Sequence, residues 1–256
     1  MFTIPDLDGV YCLTVDVEWA HPEVLDDIRR LFDAAKVRAT FFCTHAGVEV
    51  AGHERALHPN FRRTGDTIRE VQRRNGAAYH ALSDEDVIRQ VMEITSTFCP
   101  EALGVRAHSL FYTSEAVRIY REFGLEYDSS YMIPMVEGLI PFWKEYDLLE
   151  IPIYYMDHLD IISSITGFDA DALTVLSKGI KVLDFHPNLV FINAASEEQY
   201  LQSKRWYHDP EHLYRMRLLR GVRTVLCDLL EWIQGHSVLT MTLSEVNALC
   251  RLSCRK

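Results

Sequence analysis

Short apolar runs alternate with longer amphipathic stretches along most of this chain, and that alternation limits its folds more than any other feature. The runs Val10–Val17, Val37–Thr44, Leu103–Ala107, Leu149–Tyr155, Lys181–Phe185 and Ser237–Thr242 are rich in Val, Ile, Leu, Phe and Tyr. Turn residues or charges bound each of them, so they read as strands. Helical spacing covers Pro22–Ala35, Thr67–Asn75, Asp84–Phe98, Ser114–Phe123, Pro210–Gln234 and Leu243–Leu252. Pro22 and Pro210 suit a first helical turn, where a missing N–H does no harm. Ser83 with Asp86 resembles a capping box whose acid is one carbon short, and Gly124 is a C-terminal stop. Strands alternating with helices imply an α/β fold around a mostly parallel sheet. The segments 45–66 and 128–148 fit neither period, and long loops in a compact domain are often functional.

The length of 256 residues suits one large α/β domain or two small ones. A net charge of −11 repels polyanions, which argues against a nucleic-acid partner, although Arg62, Arg63, Arg69, Arg73 and Arg74 could form a local basic patch. No apolar run approaches the roughly 18 residues of a spanning helix, so no membrane insertion is expected. The opening MFTIPDLDGV lacks the pattern of a secretory signal. Six scattered cysteines are expected to be reduced, and the protein cytoplasmic.

The stretch HERALHPNF at 53–61 comes close to a zinc-protease helix. Its two histidines are five apart rather than four, which on a helix separates them by roughly 140°. Pro59 also disfavours helical backbone at His58. His58 is therefore expected on extended or turn backbone.

Five predicted strands finish in groups that carry chemistry: Asp16 and Glu18, His45, Arg106 and His108, Asp157 and His158, and His186. Residues two apart on a strand share a face, so Asp16 should pair with Glu18 and Arg106 with His108. In parallel α/β folds, ligands gather at the C-terminal strand ends. A strand reaching solvent often ends in polar residues, which explains any one case but not this concentration of Asp, Glu, His and Arg.

TVDVEW, ATFF, GHERALHPNF, VRAHS, FGLEYDSSY and LDFHPN, in that order across roughly residues 10–190, resemble the polysaccharide deacetylase superfamily, the carbohydrate esterases that share the NodB-homology domain. The likeness is nearest to a divergent branch linked to O-antigen and surface-polysaccharide biosynthesis. It implies a distorted (β/α)7-type barrel with mostly parallel strands, a single domain over 1–256, and an active site at the C-terminal strand ends. It also implies a divalent metal, with zinc the first candidate, and a sugar or glycan substrate. By position, Asp16 matches the general base, Arg106 the arginine that pairs with it, His186 the general acid and His58 the first metal histidine. Two ligand positions depart from the pattern: Val17 replaces the metal acid and Arg62 the second histidine. Glu18 and His108 are the proposed substitutes, with His45 a weaker one. His45, Asn60, Asp157, His158 and Trp19 are accessory candidates; Asp157 or His158 could orient His186, and Trp19, Tyr112 and Trp143 could face a sugar ring. His53 matches no family ligand.

The function implied is metal-dependent removal of an N- or O-acyl group from a sugar or glycan precursor. The missing histidine leaves two alternatives open. One is a metal-independent C–N hydrolase acting on a small non-sugar amide; the other is a glycan-binding or scaffold protein that has lost catalysis.

Overall fold

The computed structural model describes residues 4–254. Its strands are β1 (Tyr11–Asp16), β2 (Ala39–Cys43), β3 (Glu54–Leu57), β4 (Gly104–Val105), β5 (Tyr127–Asp128), β6 (Phe142–Trp143), β7 (Leu149–Glu150), β8 (Tyr155–Met156) and β9 (Lys181–Phe185). Its helices are α1 (Pro22–Ala34), α2 (Asp66–Asn75), α3 (Asp84–Ser96), α4 (Ser114–Glu122), α5 (Asp157–Ser163), α6 (Pro187–Phe191), α7 (Glu197–Ser203), α8 (Pro210–Arg215), α9 (Val222–Gly235) and α10 (Leu243–Cys254).

The nine strands make one sheet in the order β6-β7-β5-β4-β3-β2-β1-β9-β8. Every pairing is parallel except β6 with β7. The run 149–156 supplies both β7, paired with β5, and β8, paired with β9. One short stretch thus serves both ends of the sheet, which curls it into a distorted barrel. If that run counts once, seven positions go round: β1, β2, β3, β4, β5, β7 with β8, and β9. All residues of β1, β2 and β9 are buried, because helices cover the outside and side chains fill the inside.

The helices bury one stripe each. In α1 that stripe is Val24, Leu25, Ile28 and Phe32, and each such side chain contributes about 1.5–3 kcal/mol on burial. Ser83 and Asp86 form the expected capping box on α3. Gly104 has a steric reason: a Cβ there would lie 1.8 Å from the Tyr127 ring. Tyr127 passes over β4 at Gly104 to donate to Glu54 Oε1 of β3 at 2.6 Å. The basic stretch near 62–74 is offset in part, since Arg69 pairs with Asp66 and both Arg73 and Arg74 pair with Glu70.

Four expectations need correction. Leu149–Tyr155 is two strands, because residues 151–154 pass from one sheet edge to the other. Pro210–Gln234 is two helices. Its break at 216–221 comes from tertiary hydrogen bonds, Leu218 N to Ile192 O at 3.1 Å and Val222 N to Ala194 O at 2.9 Å. Gly221 allows that approach, since a Cβ there would sit 2.3 Å from Ala194 O. Ser237–Thr242 contributes only an isolated bridge from Thr240 to Tyr11. The segments read as irregular do contain short strands: β3 lies within 45–66, while β6 and part of β5 lie within 128–148.

Candidate active site

His58 follows β3 on non-helical backbone and is buried. Neither of its ring nitrogens has a hydrogen-bond partner, an expensive condition for a buried polar group unless a ligand satisfies it. Its Nε2 is 3.4 Å from Glu18 Oε1 and 3.8 Å from Asp16 Oδ2. His108 donates from Nδ1 to Glu18 Oε1 at 2.7 Å. The His58 and His108 ring centroids are 5.4 Å apart. Ligand atoms of Glu18, His58 and His108 all lie within 4.8 Å of one another.

Glu18 does not reach this point by strand parity. β1 ends at Asp16, and Glu18 and Trp19 adopt left-handed backbone with φ of 50° and 54°. A tight turn, uncommon for non-glycine residues and typical of functional sites, brings its carboxylate round. Similarly, β4 ends at Val105, and His108 lies in a short 3-10 turn followed by left-handed Ser109 and Leu110.

Arg106 is fully buried inside the barrel. Its Nη1 donates to Asp16 Oδ1 at 3.0 Å, to Thr14 Oγ1 at 2.8 Å and to Asp184 Oδ1. Nε and Nη2 bond the carbonyl and hydroxyl of Ser129 at 2.8 and 2.9 Å. Phe42 lies beneath the guanidinium, 4.2 Å from its ring centre. Across the site, Asp157 receives the His186 backbone N–H and Nδ1–H, each at 2.7 Å.

Sequence reasoning missed Asp184. It sits two residues before His186 in LDFH, so the strand parity used for Asp16 could have found it. It accepts from Thr14 Oγ1 at 2.7 Å, and its Oδ2 is buried without a partner. Asp16, Asp184 and His186 form a second close group of ionisable atoms.

The charges are strongly coupled. Burial opposes ionisation of Asp16, but the His58, Arg106 and His186 cations outweigh it and hold the carboxyl below its usual range. Burial likewise opposes Glu18, but the hydrogen bond from His108 and the nearby His58 ring drive its pKa well down. Burial disfavours the His58 cation, yet Asp16 and Glu18 raise its pKa. For His186 burial is overcome by Asp157, which leaves the pKa well above that of an ordinary histidine. Asp184 goes the other way: burial, helped by Asp16 and Asp157, raises it to about 7 despite Arg106.

The accessory candidates divide. Asp157 holds His186, and His158 stands beside it with ring centroids 6.0 Å apart. Trp19 meets His108 edge-on at 5.4 Å. His45 lies outside both groups, its Nδ1 2.9 Å from Thr44 Oγ1. Asn60 accepts from Arg62 N at 3.0 Å and shapes the turn after His58, while Arg62 is exposed. His53 accepts from Ala39 N at 3.1 Å and is structural. Trp143 is covered by Arg251, 5.0 Å from its ring centre. Two surface grooves of about 790 and 900 Å³ contain none of the grouped side chains. Shape alone would point there, but convergent buried ionisable groups are the stronger sign of chemistry.

The family model described as WbmS-like polysaccharide deacetylase matches residues 13–204. The chain belongs to this family. It is therefore a carbohydrate deacetylase on an α/β barrel. A candidate polysaccharide deacetylase involved in O-antigen biosynthesis from Bordetella bronchiseptica is 28% identical, with a TM-score of 0.72 over 88% of this chain and 90% of that one. A candidate polysaccharide deacetylase from Mycobacterium smegmatis is 17% identical, with a TM-score of 0.57 over 98% and 93% of the two chains; it shows the shared fold. No curated protein matches.

The deacetylase's histidine–carboxylate group passes a simple test for a metal. Two ligands of a tetrahedral zinc ion, each about 2.0–2.1 Å from it, stand roughly 3.3 Å apart. The 3.4 Å between His58 Nε2 and Glu18 Oε1 suits that. The 2.7 Å between His108 and Glu18 is a hydrogen bond, which would open on binding. The unpartnered ring of His58 and the His₂-carboxylate donor set both fit a divalent ion.

Proposed function

We propose that this protein removes an acetyl group from a sugar unit of a surface-polysaccharide precursor, with a divalent metal, zinc first among candidates, held by Glu18, His58 and His108. The observation that carries this reading is the convergence of those three groups beside an arginine-anchored Asp16 and opposite an Asp157-held His186. The O-antigen role of the Bordetella relative supports the choice of pathway.

When bound, the ion would supply Lewis-acid activation of water and of the acyl oxygen. Asp16 has Oδ1 committed to Arg106, so Oδ2 is the oxygen that takes the proton of the attacking water. Arg106 keeps the acid ionised and in place. The bond from water oxygen to acyl carbon forms as the acyl C–N or C–O bond breaks. His186, whose Nδ1 is held by Asp157, donates from Nε2 to the departing amine or alkoxide. Trp19 walls the site beside His108.

The test is elemental analysis of purified protein together with acetate release from acetylated amino sugars. We expect about one divalent ion per chain, lost in His58→Ala together with most of the activity. A His58→Ala protein that matched wild type in both would end this reading.

A further inference from the structure

The stretch 204–223 is unlike the rest of the chain. It carries Lys204, Arg205, Arg215, Arg217, Arg220 and Arg223 against only Asp209 and Glu211, in a protein whose net charge is −11. Its exposed tip is apolar as well as basic. Leu219 is fully exposed, and Tyr214 and Leu218 are 61% and 45% exposed. Exposed Arg220 follows the two leucines, and exposed Arg215 precedes them in a surface ion pair with Glu211, worth little against a phosphate; Arg223 is taken up by Asp27.

The tip is held out rather than left loose. Buried Asn193 donates from Nδ2 to Leu218 O at 2.9 Å and accepts from Thr224 N at 3.1 Å, so one side chain ties the tip at Leu218 to the first turn of α9. The Arg217 guanidinium lies over the Phe191 and Tyr214 rings at 5.1 and 4.7 Å. Arg220 donates to Phe168 O at 3.2 Å. Holding two leucines rigidly in water has no folding benefit, and an apolar tip ringed by cations suits a surface that is apolar beneath and anionic at its face.

We propose that the turn 214–220 docks this protein on an anionic lipid surface, with Leu218 and Leu219 entering the headgroup region and Arg215 and Arg220 meeting lipid phosphates. This is peripheral contact, since no helix among the described residues is long and apolar enough to cross a membrane. The turn lies near the site rim: Gln199 of α7 donates to Met216 O at 2.9 Å, and its neighbour Tyr200 packs against His158 at 5.2 Å. The contact itself does not depend on the catalytic reading.

Flotation of the full chain with vesicles tests it directly. Wild type should bind vesicles containing phosphatidylglycerol, bind pure phosphatidylcholine far less, and come off at high salt. Leu218→Ser with Leu219→Ser, and separately Arg215→Gln with Arg220→Gln, should each weaken binding by about tenfold or more while keeping the circular dichroism spectrum of wild type. Absent binding, or equal binding by the variants, overturns the proposal. So does sedimentation velocity without lipid if the leucine variant converts a dimer to a monomer, since the turn would then be a self-association surface.

Discussion

Asp16 and Asp184 share a single nitrogen of Arg106, whose Nη1 meets one oxygen of each. One buried cation cannot fully compensate two carboxylates, so they separate: Asp16 stays ionised, and Asp184 is pushed up to about 7. Replacing Asp184 by Asn tests this through stability. A raised acid contributes stability that is full below the unfolded value near 3.8 and is lost as pH rises through about 7. Asn has no such dependence. The melting temperature of Asp184→Asn relative to wild type should therefore improve between pH 4 and pH 8. A difference independent of pH would show that Asp184 ionises normally.

Asp157→Asn should move the pH–rate profile. His186 must be protonated to act as an acid, and Asp157 is the main partner offsetting burial to raise its pKa. Without that negative charge the pKa falls, so the high-pH decline in kcat/KM shifts to lower pH. A profile identical to wild type would remove Asp157 from the positioning role.

His186→Asn should lower kcat by about 10²–10⁴, the usual worth of a positioned general acid. Metal content should stay at the wild-type level, since His186 is not among the three proposed ligands. Loss of the ion in this variant would instead favour the second group, Asp16, Asp184 and His186, as the metal site.

Gly104→Ala should destabilise the barrel. The added carbon would lie within 2.4 Å of three Tyr127 ring atoms, and that ring is fixed by Glu54. Overpacking of this kind costs about 1–3 kcal/mol, readable as a lower urea midpoint. Combined with Tyr127→Ala, the total loss should be less than the sum of the two separate losses, because the clash is gone, although the cavity left by the buried ring keeps the double variant below wild type.

Lys144→Met should cost more stability at pH 9 than at pH 6. Lys144 bridges Asp128 and Glu150 at 2.7 and 2.8 Å inside the rim. Burial and Asp128 already raise Glu150 to about 8 against the pull of Lys144. With the cation gone the Glu150 value rises further, so the extra cost grows as pH climbs through about 8 and disappears where Glu150 is protonated in both proteins. Equal losses at both pH values would contradict this account.

Local pattern was enough to place β1, β2 and β9 within about two residues, and to keep His58 off a helix. Strand periodicity and the Pro59 restriction act between near neighbours, so no distant contact is needed to read them. Residue types at the strand ends also pointed to Asp16, Arg106 and His186 as candidates, and the family resemblance added His58. The run 149–156 was misread as one strand because both halves are apolar, and only barrel closure makes them pair with different neighbours. The helix break at 216–221 was equally invisible, since it depends on carbonyls of residues 192 and 194.

By itself, then, the sequence determined a parallel α/β scaffold and which chemistry stands at its strand ends, because those follow from side-chain periodicity along short segments. The tertiary structure alone decided that Glu18 turns back through left-handed backbone to meet His58 and His108, and that Asp184 competes with Asp16 for Arg106. Both outcomes depend on the register and closure of strands far apart in the chain. Long-range packing sets those, and it overrides local preference when enough buried surface and hydrogen bonding depend on the result.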